Sequence, residues 1–230
     1  MDLPDPILQH IREVVEKEYE YSDERIHVIE LCGCLLKAFL QRKIPIEKDF
    51  NRLWYIYRGL IFDELWTRRF ERNQIRVTHR IRGGPTIVGR IDFIHDGKIY
   101  ELKTINTVRR IDEPLEHHVK QVRFYAYCEN VNKAVIIYVS FDGYKCFEVD
   151  CSDEFTIPVV EEFEQKAMKL YRALKNNQPP EPEDIPSWVC KYCEYYLTYC
   201  GGREVGCFKS EVIGDAKGQE APRQEDGRHL

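Results

Sequence analysis

Asp92, Glu101, Leu102 and Lys103 are the residues of this chain with the most chemistry to offer. They stand in Gly89-Arg90-Ile91-Asp92-Phe93 and, shortly after, in Glu101-Leu102-Lys103. Ile91-Asp92-Phe93 alternates apolar, polar, apolar, so in a strand Asp92 points opposite to its neighbours. Glu101 and Lys103 are two apart and share one face of the next strand. Asp96-Gly97 is a two-residue hairpin signal, and such a turn brings Asp92 opposite the Glu101–Lys103 region. Two carboxylates placed in this way suit Mg²⁺ or Mn²⁺, which take oxygen ligands and keep water and phosphate as the others. The Leu102 carbonyl is a further oxygen of that kind. A cation held there polarises a phosphoryl oxygen and acidifies a bound water, while Lys103 orients that water or stabilises developing charge. The set points to metal-dependent phosphodiester hydrolysis. Glu-x-Lys alone is common on ordinary surface hairpins; the preceding Asp92 is what gives it weight.

Gln121 and Tyr125 are spaced i, i+4 and share a helix face. An amide and a hydroxyl there can contact a DNA backbone or hold the lysine; a core tyrosine beside an exposed glutamine is the plainer alternative.

The elements that must position these groups follow from periodicity. Asp5-Pro6 starts a helix with proline at its first position. Helical spacing predicts further helices over roughly 29–42 and 48–73, the latter with Phe50, Leu53, Tyr57, Ile61 and Leu65 on one face. The period then becomes two. Strands are expected at 75–82, 86–94 and 98–104, then a helix over 113–129 capped by Asp112. Strands at 133–140 and 144–150 are joined by Asp142-Gly143, and a helix over 153–176 buries Val160, Phe163, Ala167, Tyr171 and Leu174. This order predicts an α/β fold, a mixed central sheet flanked by helices. Asn176 to Pro186 reads as a linker, 188–207 as a Cys-rich knot, and 211–230 as too polar to fold.

The 230 residues suit one domain with a small appendage. Hydrophobic residues make up 43%, enough for a sizeable core, and no apolar run approaches a membrane span. The N-terminus lacks the order of a signal peptide, so a cytosolic protein is expected. The net charge of -5 is a poor global match to DNA. Basic residues nevertheless cluster: Arg68, Arg69, Arg72, Arg76, Arg80 and Arg82 form one group, and Arg109, Arg110, Lys120 and Arg123 another. Either group could follow phosphates or be a solvated face.

Nine cysteines are many for a reducing compartment. Cys190, Cys193 and Cys200 lie close together; a four-ligand site needs one more thiolate. Cys34 is the best candidate, with Cys32 and Cys207 as alternatives. Four thiolates suit either an iron–sulfur cluster or Zn²⁺. Cys128, Cys146 and Cys151 lack ligand spacing and are expected as small core residues.

Asp92, Glu101-x-Lys103 and Gln121-x-x-x-Tyr125 together resemble the RecB-like branch of the P-D-(D/E)-x-K nucleases. That branch has a histidine four residues after an upstream helical glycine. Here Gly59-Leu60-Ile61-Phe62-Asp63 stands in that segment, so Asp63 takes the histidine's place, either as a cation ligand or as an ordinary helix residue. Cys34 with Cys190, Cys193 and Cys200 around such a core resembles the CRISPR-associated iron–sulfur exonucleases, the fourth core CRISPR-associated protein family, over roughly residues 25–202. The family usually has five residues before its last cysteine, where this chain has six.

The resemblance implies a restriction-endonuclease-like core over 75–176, an N-terminal helical region over 1–74 with one cluster cysteine, a cluster-binding region over 177–208, and a tail over 209–230. It implies catalytic roles for Asp92, Glu101, Lys103, Gln121 and Tyr125, with Asp63, Asp92, Glu101 and Leu102 around Mg²⁺ or Mn²⁺. A [4Fe–4S] cluster is implied, with [2Fe–2S] as its alternative and zinc as the rival. The implied activity is exonucleolytic, on single-stranded DNA or free ends, 5′→3′, in CRISPR spacer acquisition beside an integrase complex. A repair or viral recombination nuclease of the same fold, and a weakly active DNA- or integrase-binding protein, are the alternatives. No interface pattern selects an oligomeric state.

Overall fold

Strand alternation between Arg72 and Thr104 builds the middle of the molecule. A computed structural model of the chain describes residues 4–16, 21–181, 183, 185, 189–190 and 193–200. Cys207 and the tail over 209–230 lie outside the described residues. The chain divides into two compact units, Met1–Glu181 and Pro182–Leu230.

In the first unit, helix α1 spans Asp5–Glu16, strand β1 Arg25–His27, α2 Val28–Leu31, α3 Leu35–Lys43 and α4 Phe50–Thr67. Then come β2 (Arg72–Arg80), β3 (Thr86–His95), β4 (Lys98–Thr104), α5 (Glu116–Glu129), β5 (Lys133–Ser140), β6 (Gly143–Asp150) and α6 (Asp153–Asn176). The six strands form one mixed sheet in the order β1-β3-β4-β5-β6, with β2 also paired to β3. The β1–β3 and β4–β5 pairs are parallel; β2–β3, β3–β4 and β5–β6 are antiparallel. The expected mixed sheet flanked by helices is therefore present.

One edge of β3 carries β2 along nearly its whole length. The other edge is shared. β1 pairs there with Thr86–Val88, and β4 pairs only with Phe93–His95. Residues 89–92 lie between, with neither β1 nor β4 beside them. The sheet is thus open where Asp92 sits.

Helices cover both faces of that opening. On β4, Glu101 and Lys103 face α5, as their bonds to Gln121 show. Thr104, on the opposite face, lies under α4: a Cβ added at Gly59 would sit 3.5 Å from its Oγ1. Helix α6 packs behind α5, where the Phe124 and Phe163 rings are 5.4 Å apart.

Several elements differ from the sequence expectation. The helix expected over 29–42 is broken at Cys32-Gly33-Cys34, because Cys34 takes an extended conformation (φ -79°, ψ 121°) and caps α3 instead of continuing α2. Strand β1 was not expected. The expected face of α4 is also displaced: Leu53 is buried, but Phe50, Ile61 and Leu65 are exposed, and Ile56, Tyr57 and Leu60 pack with Leu53 against Ile11 and Val15 of α1. Apolar residues surround α4, so periodicity could not choose its face. In α6, Leu170 is buried and Tyr171 only half-buried. Asp112 pairs with Lys145 rather than capping α5, whose cap is Leu115. Cys151 is buried as expected, whereas Cys146 is exposed.

An ion pair fastens β1. Arg42 of α3 donates from Nε and Nη2 to the two Glu30 oxygens at 2.8 and 2.5 Å, and also to the carbonyls of Ser22 and Arg25. Glu30 accepts in addition from the His27 amide at 2.7 Å. Both side chains are about 95% buried, at 4% and 5% exposure. Arg42→Ala leaves a buried carboxylate without its partner. It should cost about 3–5 kcal/mol in urea denaturation; a loss under ~1 kcal/mol would show that β1 is held by packing alone.

Candidate active site

The opening between β3 and β4 leaves the Leu102 amide without a strand partner on that side. Asp92 Oδ2 accepts from it at 2.6 Å. A residue in an extended strand turns its N–H and C=O to the same side, so the Leu102 carbonyl opens on the same gap. Asp92 and Glu101 are 5% and 3% exposed.

Glu101 Oε1 carries the polar contacts. It lies 2.7 Å from Lys103 Nζ and accepts from Gln121 Nε2 at 2.9 Å. Lys103 also donates to Gln121 Oε1 at 2.9 Å, and Gln121 Nε2 donates to the Tyr125 hydroxyl at 3.1 Å. The other oxygen, Glu101 Oε2, is buried with no hydrogen-bond partner among the described residues. Gly89 makes room for Tyr125: a Cβ there would sit 2.5 Å from Tyr125 Cε1 and 3.1 Å from Val28 Cγ2.

These groups line a cavity of about 760 Å³ that includes Asp63, Asp92, Glu101, Leu102, Lys103 and Tyr125. Burial pushes the Asp92 carboxyl well above the usual range, reinforced by the negative charges of Glu101 and Asp63. Burial pulls Lys103 down, but Glu101 and Asp92 outweigh it and hold the ammonium above its ordinary value. Burial raises the Tyr125 phenol well above its ordinary value, so it is protonated.

Among the described residues, no three His, Cys, Asp or Glu side chains come together as a ready metal-binding group. Asp63 therefore shares the cavity with Asp92 and Glu101 without completing a three-carboxylate cage. A hard divalent cation needs no such cage, because one or two carboxylates suffice alongside water and phosphate oxygens. The donors here are all oxygens, and the partnerless Glu101 Oε2 is what a cation would satisfy. The site fits Mg²⁺ or Mn²⁺.

Sequence reasoning missed the groups behind Lys103. His118 Nδ1 lies 2.8 Å from the Tyr138 hydroxyl, which accepts from the Leu115 amide at 2.9 Å. Tyr138 is the β5 partner of Lys103. His118 precedes Gln121 by three residues, and that helical spacing was the available signal. Burial drives the His118 imidazole down to about 2, aided by the charge of Lys103.

Residues 8–200 match the model of the PD-(D/E)XK nuclease superfamily. The chain belongs to that superfamily. No curated protein matches its sequence. Among solved structures, SSO0001 superposes with a TM-score of 0.63 at 19% identity, over 85% of this chain and 96% of that one. LHK-Exo in complex with dAMP gives a TM-score of 0.51 at 13% identity, over 66% and 90% of the two chains; LHK-Exo is described as an alkaline exonuclease from Laribacter hongkongensis. At these identities the likeness establishes the fold, a restriction-endonuclease-like PD-(D/E)XK architecture. No described helix is long and apolar enough to cross a membrane.

The candidate ligand cysteines of this PD-(D/E)XK nuclease fall in both units. Cys32 lies beside the carboxylates: burial raises its thiol to about 12, opposed by Lys103 and Lys166 and reinforced by Glu101 and Glu162. Cys34 caps α3 and is half-buried, and Lys166 donates to the intervening Gly33 carbonyl at 3.0 Å. In the second unit, the Cys193 amide donates to the Cys190 carbonyl at 3.0 Å, and Cys200 follows the short helical turn Tyr196–Tyr199. None of the described cysteines forms a disulfide.

The buried neutral His118 makes stability depend on pH. In the unfolded chain it titrates near 6.5; in the fold it stays neutral to about 2. Below ~6.5 the unfolded state binds the extra proton, so stability falls as the pH drops, by at most about 1.4 kcal/mol per pH unit for this group. Denaturation at pH 7 and pH 5 should show a shallower acid loss in His118→Gln than in wild type. Equal slopes would show that His118 is already protonated in the fold.

Proposed function

We propose that this PD-(D/E)XK nuclease is a metal-dependent DNA exonuclease acting on single-stranded ends with 5′→3′ polarity. The observation that carries the nuclease reading is the pairing of Asp92, Glu101 and Lys103 in the sheet opening, with one buried Glu101 oxygen partnerless. Asp92, Glu101 and the Leu102 carbonyl would hold Mg²⁺ or Mn²⁺, the cations nucleases of this superfamily generally use, with Asp63 assisting from α4. A bound cation supplies Lewis-acid polarisation of the phosphoryl oxygen and a more acidic water. Lys103, kept charged by Glu101 and Asp92, stabilises charge developing on the phosphate. Gln121 fixes the Lys103 ammonium, and Tyr125 fixes Gln121.

The single-stranded substrate is what the sequence resemblance supports. The alkaline exonuclease LHK-Exo, solved with the mononucleotide dAMP, supports end-directed cleavage on the same fold.

In the same reading, Cys34, Cys190, Cys193 and Cys200 hold a [4Fe–4S] cluster, and the enzyme works in CRISPR spacer acquisition with an integrase complex. Sequence resemblance supports both. Cys34 is preferred to Cys32 because the Cys32 thiol lies beside Lys103 and Glu101.

Two measurements test these assignments. On end-labelled single-stranded DNA with Mn²⁺, Glu101→Ala and Lys103→Ala should each lose about 10²–10³-fold in cleavage rate. Unchanged cleavage in both would remove the catalytic assignment. Anaerobically purified protein should be brown and contain iron, and Cys190→Ser should lose both colour and iron. A colourless, zinc-loaded protein would replace the cluster by a zinc staple.

A further inference from the structure

The cavity that holds the carboxylates extends along one sheet face lined by arginines. Strand register places them in rows. Arg25 of β1, Thr86 of β3 and Arg80 of β2 lie side by side; next come His27, Val88 and Thr78; then Arg90 opposite Arg76. Two residues further along β3 on the same face is Asp92. Arg25, His27, Arg76, Arg80 and Arg90 all line the cavity. From Asp92 to Thr86 the face runs about 20 Å.

Two features set this face apart from ordinary surface charge. Arg76 and Arg90 are direct cross-strand partners, which sets two guanidinium groups side by side on this face. Among the described residues, no acidic side chain pairs with Arg76 or Arg80, although both are exposed. Four other basic residues of the sequence clusters are occupied. Arg72 pairs with Glu129, Arg109 with Asp142, and Lys120 with Glu116 and Glu162; Arg123 donates to the Asp150 carbonyl and covers Phe155. Strand alternation thus selects Arg76 and Arg80 from their cluster and joins them to Arg25 and Arg90 from distant parts of the chain.

We infer that the Arg25–Arg76–Arg80–Arg90 face is the track for the phosphates of a single DNA strand on one side of the scissile bond. The inference rests on the nuclease reading above and deepens it. Apart from Lys103, every Arg or Lys lining the cavity lies on this face, so the strand is gripped on one side of the carboxylates, as cleavage from an end requires. Phosphate contacts position the strand without reading its sequence, so binding should be sequence-independent and strongly salt-dependent.

The test is fluorescence anisotropy of a labelled oligothymidylate bound to the full-length protein, titrated with salt without added Mg²⁺ or Mn²⁺. For single strands, log K falls with log salt by about 0.7 per phosphate neutralised. The Arg76→Ala/Arg80→Ala double variant should lower that slope by about 1.4, and Arg76→Lys should retain it. Arg109→Ala, altering an arginine 83% exposed and off this face, should leave the slope unchanged. An unaltered slope in the double variant, or an equal fall in Arg109→Ala, would overturn the track. Failure of the nuclease reading has a different signature: wild type would bind with the expected slope pattern yet leave the strand intact when Mn²⁺ is added.

Discussion

The Leu102 amide is the group on which the site depends. Strands β3 and β4 pair for three residues beyond the hairpin turn and then part. A buried amide left by such a parting must find an acceptor, and the Asp92 carboxylate supplies it at 2.6 Å. The same bond that closes this gap in the backbone ladder holds a carboxylate inside the sheet, beside Glu101. Had the strands stayed paired, the ladder would have satisfied Leu102 and the cavity would not exist. The opening and the acid within it are one feature.

Charge inside that opening is ordered by a single amide. Gln121 Nε2 faces Glu101, and its Oε1 faces Lys103. The reverse orientation would set a donor against an ammonium and an acceptor against a carboxylate, so both neighbours fix the side chain. Tyr125 completes the arrangement from one helical turn away, and its ring reaches that place because Gly89 has no side chain. Behind Lys103, the neutral His118 and the Tyr138 hydroxyl satisfy each other without adding charge. The lysine is consequently held by acids on one side and uncharged groups on the other.

Local patterns made much of this legible in the sequence. The Asp96-Gly97 and Asp142-Gly143 turns marked two hairpins, alternation placed Asp92 against Glu101 and Lys103, and i, i+4 spacing put Gln121 and Tyr125 on one face of α5. What escaped was non-local. Strand β1 is only Arg25–His27, and its partner lies some sixty positions later in a parallel register that no hairpin announces. Its place is fixed by the Arg42–Glu30 pair, which joins α2 to α3 across a break that helical periodicity spans without interruption. The face of α4 could not be chosen because its apolar residues surround the helix. Arg25 and Arg90 come onto one sheet face only once β1 lies against β3.

Two kinds of local conflict meet on one sheet face. At one end Arg90 lies opposite Arg76; at the other Asp92 is buried near Glu101 and Asp63. Each sets like charges close together, which works against stability unless other groups offset it. The conflicts are opposite in sign and adjacent, which is the arrangement that a phosphate and a divalent cation, arriving together, would neutralise. A net charge of -5 conceals this, since it averages over the whole surface, where acids such as Glu129 and Glu148 are paired with arginine or lysines. The chemistry is carried by where the sheet leaves like charges side by side, and that placement follows from the strand that pairs along one edge of β3 and the two that share the other.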